Sequence, residues 1–469
     1  MLLELQLQLE TRMRLNDHPT VRKLRRAAES IEPAKRPADS SPRGPASSRT
    51  LDARWLRQLA LDAGADDVGF VQIGRSELDD QRDDILRALP RTKSLVAFVV
   101  RMNREPIRAV DRSIANLEFH HTGDHVNDVS RFVVRELERD GVRALNPAMG
   151  FPMEQDRFPG KIWVVSHKPV AVAAGLGKMG IHRNVIHPKF GNFVLLGTIL
   201  VDAEISEYGL PIDYNPCLEC KLCVAACPVG AISPEGDFNF SACYTHNYRE
   251  FMGGFTDWVE QVAESKNAID YRRRVNDAES SSMWQSLSYG ANYKAAYCLS
   301  VCPAGEDVIG PYLDDRKGHA KDVLKPLREK PETVYVLKNS DAEDHASKRF
   351  PSKSTKRVGN TLRPNSVDGF IDGMPLVFQP GRSKGLTARY HFTFVGASTR
   401  EVTVLIEDGK LSVDEGHVGD ADLRIRADAA TWIGFLRGEK SIVWAIVRRK
   451  VVLGGPLKLL LAFGRCFPE

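Results

Sequence analysis

The chain has 469 residues, 42% hydrophobic and 27% charged, ordinary usage for a folded protein of about three domains. No apolar run reaches the roughly 18 residues that a spanning helix needs, so no membrane span is expected. The net charge of +4 sits in residues 1–50, with ten Lys/Arg and six Asp/Glu; the rest carries 55 of each sign, which makes nucleic acid an unlikely partner of the body.

Residues 1–50 read as a disordered basic tail, because the Pro/Ser/Ala/Arg mixture at 30–50 can bury little apolar surface. No secretory or twin-arginine leader is expected, and seven of eight cysteines lie between 217 and 302, unlike a secreted disulfide framework. The expected location is cytoplasmic. A helix is predicted from Leu51, with Trp55, Leu56 and Leu59 near one face and a stop at Gly64. DDVGFVQI and SLVAFVV read as buried strands. Asp124 to Asp140 reads as an amphipathic helix with Asp124 as a candidate N-cap. KIWVVS, VAVAA and NFVLLGTILV read as strands, which makes 51–210 an α/β core holding a substrate or corrinoid. The cysteine-rich module spans 211–312, and the polar stretch 313–365 reads as a linker. In 366–469, ARYHFTF alternates, EVTVLIEDGKLSV is a hairpin about Asp408-Gly409, and DAATWIGFLRG is a helix capped by Asp428.

Cys217, Cys220, Cys223 and Cys227-Pro228 form C-x2-C-x2-C-x3-C-P, the bacterial ferredoxin run. Three thiolates on one loop can grip three corners of a cubane, while the fourth points to another cluster. Cys298-x3-Cys302-Pro303 repeats the ending. By the crossing rule, cluster one takes Cys217, Cys220, Cys223 and Cys302, and cluster two draws on Cys227, Cys243 and Cys298. A full second run would have cysteine at Ala295. The expectation is one or two [4Fe–4S] clusters, the second having three cysteines and a foreign ligand, or being [3Fe–4S], or absent. His246 is a candidate fourth ligand against a purely structural role. Cys466 is expected to be buried.

Gly175, Gly177 and Gly180 fit G-x-G-x-x-G, with Asp202 further on, but no crossover helix follows. The three glycines are candidate cofactor-binding residues that let backbone approach some other group closely. His120, His121 and His125 cluster beside Asp124, a candidate catalytic acid.

The segment AVAAGLGKMGIHRNVIHPKFGNFVLLGTILVDAEI with the cysteine run resembles the epoxyqueuosine reductase and reductive dehalogenase superfamily over about 50–312. The resemblance implies a nitroreductase-like α/β core, a ferredoxin-like two-cluster module, cobalamin between them, and a cysteine such as Cys243 between the runs. It departs at Ala295 and at Thr122-Gly123-Asp124-His125, a loose match to the segment holding the family's proton-donating Asp. Residues 366–469 resemble the sterol carrier protein type 2 domain, in Tyr390-x-Phe392-x-Phe394, VTVLIEDGKLSVDEG, ADLRIRADAATWIGFLRGEKS and VVLGGPLKLLLAF. That resemblance implies a five-stranded sheet with helices and an apolar tunnel for acyl or sterol-like ligands. The expected fold class is α+β multidomain. The expected function is an iron–sulfur oxidoreductase passing electrons to a cofactor or lipophilic substrate, fed by a donor such as ferredoxin or flavodoxin. The alternatives are a non-catalytic electron relay or redox sensor and, more weakly, tRNA epoxyqueuosine reduction.

Overall fold

A computed structural model describes residues 50–468 except Phe151, Tyr214, Pro216, Leu218 and Glu219. The basic tail read over 1–50 lies outside the described residues except for Thr50. Among the described residues no helix is long and apolar enough to cross a membrane.

The core begins with α1 (Ala53–Asp62), whose N-cap Asp52 accepts the amide of Trp55. There follow β1 (Asp67–Gln72), β2 (Ser94–Arg101), α2 (Arg112–Arg139), β3 (Ala144–Leu145), α3 (His167–Ala173) and β4 (Val194–Val201). The strands form one antiparallel sheet in the order β1-β2-β4-β3. Alternate residues of β2 divide between two cores. Val96, Phe98 and Val100 meet Val126, Val129 and Val133 of α2. Leu95, Ala97 and Val99 meet Val170, Ala171 and Ala173 of α3. Burial on both faces explains why these strands read as continuous apolar runs.

Two core expectations are corrected. VAVAA is the end of helix α3, and KIWVVS has no regular element. A short apolar run carries no period that separates strand from helix. Asp124 is not an N-cap, because α2 starts twelve residues earlier, with Asp111 at its N-cap position. The helix passes through Thr122-Gly123 because both residues are buried, and a Cβ on Gly123 would stand 2.5 Å from Met149 Cε.

The cysteine-rich region holds α4 (Leu222–Ala226), α5 (Phe240–Asn247), α6 (Gly253–Glu264), α7 (Ala268–Arg274), α8 (Asp277–Tyr289) and α9 (Tyr297–Ser300). The segment read as a linker over 313–365 is corrected as well. It contains β5 (Thr333–Leu337), α10 (Asp341–Arg349) and β6 (Ser354–Val358), and the two strands pair in parallel. Val334 and Val336 pack with Val229, Ala231 and Ala242 and against Cys227 and Cys243. Four apolar residues, VYVL, inside polar flanks suffice for a buried strand, and average composition hides them.

The C-terminal part runs α11 (Val367–Val377), β7 (Thr387–Val395), β8 (Arg400–Glu407), β9 (Lys410–Glu415), β10 (Leu423–Asp428), α12 (Ala429–Leu436), α13 (Ile442–Val447), β11 (Val451–Gly454) and α14 (Leu457–Arg465). The five strands form one sheet, β9-β8-β7-β10-β11. The β8–β9 turn puts Asp408 at φ 37° and Gly409 at φ 91°, the left-handed conformations a two-residue hairpin favours. Asp428 caps α12 by accepting the Thr431 amide at 3.0 Å. Tyr390, Phe392 and Phe394 bury one face against Phe370, Trp432 and Phe463. The whole is a mixed α/β multidomain chain.

Candidate functional site

The structure brings the seven clustered cysteines into two groups. Cys217, Cys220, Cys223 and Cys302 line one small cavity, together with His182, Ile186 and Pro303. Cys227, Cys243 and Cys298 are electrostatic neighbours of one another. Each C-x3-C-P segment crosses between the groups: Cys223 falls in the first and Cys227 in the second, Cys298 in the second and Cys302 in the first. Among the described residues no three His, Cys, Asp or Glu converge on a single-ion site; the four sulfurs of the first group ring a cavity.

Local backbone explains how two distant runs take the same shape. Lys221, two residues before Cys223, has φ 58°, and Ala296, two before Cys298, has φ 51°. Each begins a short helix, α4 or α9, that ends just before the next Cys-Pro. Sequence reading found no internal repeat. The recurrence of x-x-Cys-x3-Cys-Pro was the available signal, and its span is too short to register as one.

All eight cysteines are free thiols. Burial first, then neighbouring sulfurs, pushes Cys223 up to about 12. Cys298 is pushed up to about 11 and Cys302 higher still. Burial likewise raises Cys220, Cys227 and Cys243. Crowded, desolvated sulfurs favour the thiolate only beside positive charge, which a bound metal centre supplies. The donor set of four thiolates around one cavity fits a cubane.

The segment after Cys302 is seated on the loop before β4. A Cβ on Gly191, at φ +68°, would stand 1.9 Å from the Ala304 carbonyl oxygen. The Glu306 and Asp307 amides donate to the Pro188 and Lys189 carbonyls at 2.9 and 3.0 Å.

Gly175, Gly177 and Gly180 are filled by the chain itself. A Cβ at Gly175 would stand 2.6 Å from the Leu210 carbonyl oxygen, and one at Gly177 2.6 Å from that of Ile186. At Gly180 the His182 and Ile186 side chains stand at 2.8 Å. The close approach expected of these glycines is therefore met by Leu210, Ile186 and His182. Asp202 accepts the Arg143 amide at 3.0 Å.

Asp124 is exposed on α2, one turn beyond His120. His121 is also exposed, and His125 is bonded to the Gly64 carbonyl at 3.1 Å. His120 faces the loop at Gly290, where a Cβ would stand 3.1 Å from its ring. Cys466 is buried in the C-terminal core, as expected.

Side chains that sequence reasoning missed lie beside the second cysteine group. The Lys168 ammonium is electrostatically close to Cys298 and Cys243, and burial lowers its pKa although the side chain keeps solvent contact. It donates to the Arg183 carbonyl at 2.6 Å. Its neighbour His167 holds Thr198 Oγ1 and the Ala148 carbonyl, each at 2.9 Å. Tyr248 feels both Cys243 and Cys298, and burial raises its phenol well above the usual range. Tyr293 stacks edge-on against Tyr248 at 5.6 Å and Phe119 at 4.9 Å. Nothing in the sequence period marks these aromatics, because they come from α2, the end of α5 and the loop after α8.

His246 does not face the cysteines. It is fully buried, stacks on Tyr335 at 6.3 Å, and belongs electrostatically to Glu332, Lys294 and Lys353. Burial lowers its pKa to about 4, below the 6.5 of a free histidine, so the folded state binds its proton more weakly than the unfolded state. Its contribution is complete above pH 6.5 and is lost as pH falls towards 4. By pH 5.5 the loss is about 1.4 kcal/mol. Urea midpoints of the parent should fall more between pH 7 and 5.5 than those of His246→Gln. Equal slopes would place the titration elsewhere.

Residues 210–233 match the 4Fe-4S binding domain family, and 379–468 match the SCP-2 sterol transfer family. Epoxyqueuosine reductase of Vibrio cholerae is 33% identical over 232 residues, covering 43% of this chain and 59% of its own length. The chain spans about three fifths of the length of the first curated relatives it matches. Among solved structures, an epoxyqueuosine reductase with a modified tRNA-Tyr stem loop has a TM-score of 0.35 at 16% identity, covering 69% of this chain and 80% of that one. The catabolic reductive dehalogenase NpRdhA has a TM-score of 0.35 at 15% identity, covering 58% and 34%. The chain thus resembles epoxyqueuosine reductases over about two fifths of its length, with an SCP-2-like region at 379–468, and the cofactor is of the [4Fe–4S] kind.

Proposed function

We propose that this chain is an iron–sulfur reductase, built as a nitroreductase-like core with a ferredoxin-like module. Cys217, Cys220, Cys223 and Cys302 hold one cluster, and Cys227, Cys243 and Cys298 hold a second centre. The observation that carries this reading is the crossing of both C-x3-C-P segments between the two groups. Such clusters supply electrons singly. The acceptor, a corrinoid if the resemblance holds, would be received beside the second group, where Lys168 and Tyr248 have Cys243 and Cys298 as neighbours. The Tyr248 phenol stands near the second group, whereas Asp124 lies out on the surface of α2. An external donor of the ferredoxin or flavodoxin type refills the clusters.

The relatives favour an epoxyqueuosine-bearing tRNA as substrate. This runs against the expectation, drawn from charge balance, that nucleic acid is an unlikely partner: a neutral body average says little about one local surface. The second reading, a lipophilic substrate, is favoured by the match of residues 379–468 to the SCP-2 family.

The test is anaerobic purification with cobalamin supplied, iron and cobalt analysis, chemical reduction, and incubation with epoxyqueuosine-bearing tRNA. Conversion to queuosine by nucleoside mass spectrometry supports the first reading. Iron-loaded, reducible protein that leaves the tRNA unchanged but reduces an added lipid favours the second. Reducible protein that only passes electrons to a partner leaves a relay or sensor, and iron-free protein overturns the proposal.

A further inference from the structure

The body of the chain is charge-neutral on average, yet its charge is not evenly spread. Between Arg437 and Arg465 there are seven Lys/Arg and one Glu. Arg437 pairs with Glu439 at 3.0 Å, and Lys450 lies 4.0 Å from Asp428. Lys440, Arg448, Arg449, Lys458 and Arg465 are exposed, and none of them forms an ion pair among the described residues.

The same stretch exposes its largest apolar groups. On α13, Val443, Trp444 and Val447 are 65%, 63% and 65% exposed, while Ala445 turns into the core. On α14, Leu457 and Leu461, one turn apart, are 55% and 65% exposed, while Ala462 and Phe463 are buried. Each helix thus has two apolar faces, one spent on the core and one turned to water. The guanidinium of Arg448 lies 6.0 Å over the Trp444 ring. Single exposed apolar residues are ordinary, but Val443, Trp444 and Val447 adjoin on one helix with Lys440, Arg448 and Arg449 at its ends, which marks an interaction surface.

We propose that the outward faces of α13 and α14 form a docking surface for an anionic phospholipid bilayer. Trp444, with Val443 and Val447, enters the headgroup boundary, where an indole suits the change from water to hydrocarbon. The long Lys and Arg side chains reach back to lipid phosphates. Basic groups near an anionic leaflet add to the attraction, which salt screens. Aliphatic side chains favour a bilayer over nucleic acid, whose backbone offers them nothing to bury against. The proposal stands on this surface alone and survives or fails independently of the reductase reading.

The test floats the full chain with vesicles of phosphatidylcholine, with and without phosphatidylglycerol, at low and high salt. The expected result is binding only to vesicles containing phosphatidylglycerol, weakened by salt, with a blue-shifted tryptophan emission that Trp444→Phe abolishes. Trp444→Ser/Val447→Ser and Arg448→Gln/Arg449→Gln should each weaken binding at least about tenfold. All four positions are exposed, so thermal midpoints should match the parent's and loss of binding cannot be loss of fold. Equal binding to both vesicle types, or variants that bind like the parent, overturns the proposal. So does a dimer that Trp444→Ser dissociates, which would assign the face to a second copy, or tRNA binding that the arginine variant alone abolishes.

Discussion

Replacing Cys302 with alanine is expected to remove about half of the iron from anaerobically reconstituted protein, leaving one of two centres. Cys302 is the one member of the first group that comes from the second C-x3-C-P segment, and with it gone three thiolates on a single loop remain around the cavity. Cys298 stays in place in the neighbouring group, so the second centre should persist. Iron analysis with electron paramagnetic resonance of the reduced protein separates the outcomes: one spectral component should vanish and the other should keep its shape. Loss of all iron would mean that the centres assemble together, and unchanged iron would remove Cys302 from the ligand set. Cys466→Ala, in the C-terminal core, is the matched control and should keep full iron.

Asp257→Ala should cost about 3–5 kcal/mol of stability, the range for stranding a buried charge. Asp257 and Arg249 have side chains only 3% and 6% exposed, with Oδ2 and Nη1 2.7 Å apart. The contact is an ion pair more than an aligned hydrogen bond. Removing the carboxylate leaves the buried guanidinium without its ion-pair partner, stacked on the Tyr335 ring 4.8 Å away. It also takes the acceptor from the Gly359 amide, now at 3.0 Å. The double variant Arg249→Met/Asp257→Leu should recover most of the loss, because two charges leave the interior together. Urea midpoints of the parent, both single variants and the double variant complete the cycle. A single variant within about 1 kcal/mol of the parent would mean that water reaches the pair.

The sequence made the cysteine grouping legible because ligand spacing is a local property that chemistry holds tightly. Ligand types, crossing pattern and the absent cysteine at Ala295 could all be read before any geometry. The C-terminal sheet was legible too, since its strands alternate and Asp408-Gly409 and Asp428 mark a turn and a cap. Where reading failed, the deciding contact was distant in sequence. VAVAA became helix because a sheet and its neighbours bury it on several sides. The start of α2 was missed because Thr122-Gly123 reads as a break until Met149 is seen to pack on it. The supposed linker hid β5 because its four apolar residues are averaged away by their flanks. The neighbourhood of Lys168 and Tyr248 beside Cys243 and Cys298 was invisible for the same reason: its residues come from segments that share no pattern.

The seating of Cys302 against the loop at Gly191 has a consequence for how the protein is made and lost. Joining Cys223 to Cys302 through one cluster closes a loop of about 80 residues, which in chain-entropy terms is a restraint of about 4.5 kcal/mol on the unfolded ensemble. That loop contains α5 to α9. On the proposed ligand set, iron would thus also be a staple, set only after the chain has been synthesised past residue 302. Oxidative loss of the cluster frees the whole insert at once, so damage to a small inorganic group becomes an opening large enough for a protease to find.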